Sequence, residues 1–153
     1  MKELGLLLVI AAALLFVVSL RGPSRTDRAP FSVPVEFQDA VEPIRRAPID
    51  KADAAKLAEF YKTLANVIER GAFDHWIKTA GEVRELNRRA GKMCFGSDIA
   101  GKYPGLADDI DKVIALGVGA KRTDDGYEDV EITETRRHNL AIALRSIAAA
   151  VAP

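Results

Sequence analysis

The feature that most restricts what this chain can fold into is a run of seventeen residues without a charge, Leu4 to Leu20 (LGLLLVIAAALLFVVSL), with Lys2 before it and Arg21 after it. A spanning helix needs about 17 to 25 apolar residues, whereas the apolar stretch of a secretory signal peptide has about 7 to 15. No A-x-A cleavage signal follows; the best alternative is Val17-Val18-Ser19. The run reads as an uncleaved single-pass transmembrane anchor, residues 1–20, with a cleaved signal peptide as the rival. Positive charge near the ends nearly balances, Lys2 and the α-amine against Arg21, Arg25 and Arg28. The signal-like start tips the expectation toward an inner-membrane protein with an extracytoplasmic C-terminal domain.

A globular domain must then come from the rest of the 153 residues. Residues 21–48 hold five of the seven prolines and no sustained apolar period. Proline fixes its own φ and disfavours helix in the residue before it, which predicts an extended linker. Within it, Phe31, Val33, Val35 and Phe37 alternate, as in a short strand or a segment lying along the domain.

From residue 49 to 153 the pattern is helical. Asp50 is an N-cap for a helix whose Leu57, Phe60, Tyr61, Leu64 and Ile68 share one face, and which ends before Gly71. Thr79 to Glu82 (TAGE) forms a capping box, and Val83, Leu86, Ala90 and Met93 continue a second stripe. Pro104 opens a third helix through Leu106, Ile110, Val113 and Ile114, stopping at Gly117 or Gly119. Thr133 opens a fourth with Leu140, Leu144, Ile147 and Val151. Single stripes cannot be buried alone, so the expectation is an all-α compact bundle of about four short helices. The alanines of the last helix permit close packing within the bundle or against a second copy in a homo-oligomer.

Of the chemical motifs, GSDIAGKYPG at 96–105 comes nearest to a phosphate-binding loop: Gly96, four residues, Gly101, Lys102. Tyr103 stands where the short hydroxyl of Ser or Thr would bind magnesium, the preceding sequence is helical rather than a strand, and Pro104 removes an N–H. The stretch reads as a turn between helices, and no nucleotide is expected. Cys94 needs a nearby His75 or His138 to act as a nucleophile, and beside Met93 on an apolar face it reads as a small core residue. The single cysteine and two histidines match no zinc pattern, and an EF-hand loop with Gly126 of TDDGYEDVE as its sixth position would have Lys121 and Thr123 where acids are needed. That loop reads as solvated, with Arg136 and Arg137 available to its carboxylates. No metal or other cofactor is expected.

A binding surface is the remaining possibility. Lys78, Arg84, Arg88, Arg89, Lys92 and Lys102 outnumber Glu82 and Glu85 by four around the second helix, which suits an anionic lipid, a nucleic acid or an acidic partner. The overall balance of 22 basic and 22 acidic residues speaks against nucleic acid. Phe73, Trp76, Phe95 and Tyr103 fall at the connections, where they would close the ends of the bundle. Trp76, if exposed, is the best anchor for a partner. The expected site is thus Trp76, Arg84, Arg88, Arg89, Lys92, Lys102 and Tyr103. The function read from these features is a membrane-anchored interaction or scaffold module without catalysis, bound to the membrane through residues 4–20 and to another protein through its domain. The alternatives are an anionic lipid or nucleic-acid binder and a small Cys/His enzyme.

Overall fold

The computed structural model describes residues 31–71, 78–85 and 99–153, and these are mostly helical. The order is α1 (Val35–Arg46), α2 (Lys51–Glu69), a helical segment at 80–85, α3 (Ile99–Lys102), α4 (Pro104–Val118), a two-stranded ribbon of β1 (Arg122–Thr123) and β2 (Gly126–Tyr127), and α5 (Glu134–Val151). The ribbon is antiparallel, with Arg122 opposite Tyr127 and Thr123 opposite Gly126.

α5 is the helix around which the others assemble: it packs on α1, α2 and α4, and α1 also packs on α4. This explains its composition. Leu140, Leu144, Ile147 and Val151 are buried as the stripe requires, but so are Ala141, Ala143, Ala148 and Ala150. A helix enclosed on several sides needs small residues where neighbouring backbones come close. At the α4–α5 crossing Gly117 does the same from the other side, since a Cβ there would lie 2.6 Å from the Cβ of Ala143. The alanines are therefore used within the fold.

Local signals place the helix ends. The Asp50 side chain accepts the Ala52 N–H at 2.8 Å. Thr133 caps α5 through the Arg136 N–H. Pro104 sits in the first turn of α4, where its missing N–H has no helical partner to lose. α4 runs through Gly117 and ends at Gly119, whose φ of 70° is the left-handed cap conformation that a side chain disfavours.

The linker expectation needs a correction. Residues 35–46, assigned above to an extended spacer, form α1, and Phe37, Val41 and Ile44 are buried in the common core. Pro34 precedes the helix and Pro48 follows it; only Pro43 lies inside. Proline costs about 3 kcal/mol in a helix interior. Burying three large apolar side chains returns about 1.5 to 3 kcal/mol each, so the core decides. Glu42 adds ion pairs to Arg45 and Arg46 one turn on. Of the alternating residues, Val33 rests on the core and Phe37 is inside it, while Phe31 and Val35 are exposed, so no strand forms there. The transmembrane expectation concerns residues 4–20, which lie outside the described residues. Among the described residues, no helix is long and apolar enough to cross a membrane.

Candidate functional site

Three of the seven expected site residues, Arg84, Lys102 and Tyr103, are among the described residues; Trp76, Arg88, Arg89 and Lys92 lie outside them. The described three do not converge on one cleft. They sit in two separate polar clusters, each joining distant parts of the chain.

The first cluster contains the end of the glycine-rich stretch. α3 is a single helical turn that ends at Lys102, and Tyr103 breaks it from α4. From this break the Tyr103 hydroxyl donates to Asp53 Oδ2 at 2.5 Å and accepts the Asp50 N–H at 3.3 Å. Lys102 bonds the same Asp53 oxygen, and its amine stands 5.5 Å from the centre of the Tyr103 ring. Hydrogen bonds from Lys102 first and Tyr103 second hold the Asp53 carboxyl below its ordinary value, and Asp53 in turn raises the Lys102 amine. An incoming phosphate would compete with Asp53 for Lys102. The cation of the motif is used to fasten the start of α2.

In the second cluster, the capping box at 79–82 forms as its residues predict: Thr79 Oγ1 accepts the Glu82 N–H at 3.3 Å and Glu82 Oε2 accepts the Thr79 N–H at 3.1 Å. A second carboxylate from another part of the chain completes the helix start. Asp129 Oδ1 accepts the Gly81 N–H at 2.7 Å, in a space where a Cβ on Gly81 would stand 2.9 Å from that oxygen. Backbone bonds from Ala80 N to Val130 O and from Ile132 N to Lys78 O run alongside. Arg84 donates to the Tyr127 carbonyl at 3.3 Å and lies over the Tyr127 ring, 5.8 Å from its centre.

The acidic loop is thus partly structural, with Asp129 capping a helix and Glu128 accepting the Lys121 N–H at 2.9 Å. Arg136 reaches this loop at the Glu131 backbone carbonyl, 3.0 Å away, rather than at a carboxylate. Among the described residues, no group of three or more His, Cys, Asp or Glu side chains is placed to hold a metal ion.

His138, the one described member of the Cys/His combination, is 65% exposed, and its Nδ1 lies 3.6 Å from Glu69 Oε1. His75 and Cys94 lie outside the described residues. Glu69 also pairs with Arg145, which donates to Asn66 Oδ1 at 3.0 Å, so this third cluster joins the end of α2 to α5. Arg145 is the main cause holding the Glu69 carboxyl below its ordinary value. Sequence reasoning missed Asp53, Asp129, Glu69 and Arg145. Each acts through a partner dozens of residues away, and no local spacing announces such a pair.

One open groove of about 170 Å³ lies where the end of α1, the start of α2 and the end of α5 meet, with walls that include Ile44, Ile49, Ala54 and Val151. Arg45 and Lys51 are also in its lining. Comparisons with protein-family models, curated proteins and solved structures gave no match.

Proposed function

We propose that the protein is a membrane-anchored helical module that presents its domain to another protein, without catalysis of its own. Residues 4–20 are the anchor, and the domain lies on the extracytoplasmic side of an inner membrane. The observation that carries this reading is the close succession of a long uncharged run and a well-packed helical core. Val33 already packs against the core, which leaves residues 21–32 as the tether. Twelve residues reach at most about 40 Å when fully extended. Held that close to a bilayer, the domain would meet membrane partners at raised effective concentration. The internal use of Arg84 and Lys102 favours this reading over an anionic lipid or nucleic-acid surface, because it takes two of the six cations out of such a surface.

A photo-crosslinking residue placed at Val35 or Leu116, both exposed apolar positions, tests the proposal in native membranes. Adducts with a second polypeptide are expected. Adducts with lipid alone would replace this reading by the lipid-surface one.

A further inference from the structure

We draw no further inference here: the strongest candidate, the groove between the end of α1, the start of α2 and the end of α5, has nothing in the structure to show what covers it, and the cation Arg45 in its lining is already paired with Glu42.

Discussion

Tyr103 donates its hydroxyl to Asp53 at 2.5 Å and accepts the Asp50 N–H at 3.3 Å, so one phenol fastens the break between α3 and α4 to the start of α2. The residue that spoils the phosphate-loop spacing is therefore a structural fastener. A Tyr103→Phe substitution keeps the ring and removes both bonds. A loss of about 1 to 2 kcal/mol in denaturant unfolding is expected, in the range of one or two hydrogen bonds, one of them to a charged acceptor. Asp53→Asn should also destabilise, since it removes the charge that Lys102 and Tyr103 both bond. The double variant should lose less than the sum, because one change removes the bond and the other removes the charge that strengthens it. Full additivity would show that the contact contributes nothing in solution.

The paired carboxylates set the direction of the acid response. Asp53 and Glu69 are both held below their ordinary values, chiefly by Lys102 and Arg145 respectively. A carboxylate depressed in the folded state adds stability that is fully present above its unfolded value, about 3.9 for Asp and 4.3 for Glu, and is lost as pH falls through the folded value. Unfolding curves between pH 7 and pH 2 should therefore show stability falling below about pH 4. The difference between the native chain and an Asp53→Asn, Glu69→Gln variant should be largest near neutrality and close on acidification. A difference independent of pH would mean that neither carboxylate is preferentially stabilised in its charged form.

Gly117 faces Ala143 where α4 crosses α5, and an added methyl group would stand 2.6 Å from the Ala143 Cβ. In an exposed helix, Gly→Ala stabilises by up to about 1 kcal/mol. Here overpacking reverses the sign, and Gly117→Ala should destabilise by about 1 to 3 kcal/mol. Combining it with Ala143→Gly should recover part of the loss. A Gly117→Ala protein with a higher melting temperature than the parent would show that the helices do not approach so closely.

α1 separates two views of the proline-rich region by stability alone. Ile44 is 1% exposed, and Ile44→Ala should cost about 2 to 5 kcal/mol if the helix belongs to the core. The same change in an extended spacer would leave the unfolding curve unmoved. The exposed Val35→Ala serves as the control and should shift it by less than about 0.5 kcal/mol.

The helices that follow residue 49 were legible because their signals are local. Asp50, the TAGE box and Thr133 each satisfy backbone groups within a few residues, Pro104 fits a first turn where its missing N–H costs nothing, and the stripes on α2, α4 and α5 repeat at helical spacing. α1 was missed because propensity was weighed without burial. Phe37, Val41 and Ile44 share one helical face, but their contribution depends on α4 and α5, whose positions the local sequence does not reveal. The polar clusters were hidden for the same reason. Lys102 was legible as a cation near a glycine turn, but its partner Asp53 is 49 residues away. Arg84 was grouped with the basic residues of its own helix, while the structure directs it to Tyr127 on the ribbon.

The proposed tether of the helical domain to a membrane through residues 4–20 is open to alkaline extraction of membranes carrying the C-terminally tagged full chain, followed by protease treatment of intact and lysed spheroplasts. The tag is expected to stay with the extracted membrane, to be released by Leu8→Arg with Leu14→Arg, and to be removed by protease from intact spheroplasts. A tag recovered in the soluble fraction of the native chain would contradict the anchor, and a tag protected until lysis would place the domain on the cytoplasmic side.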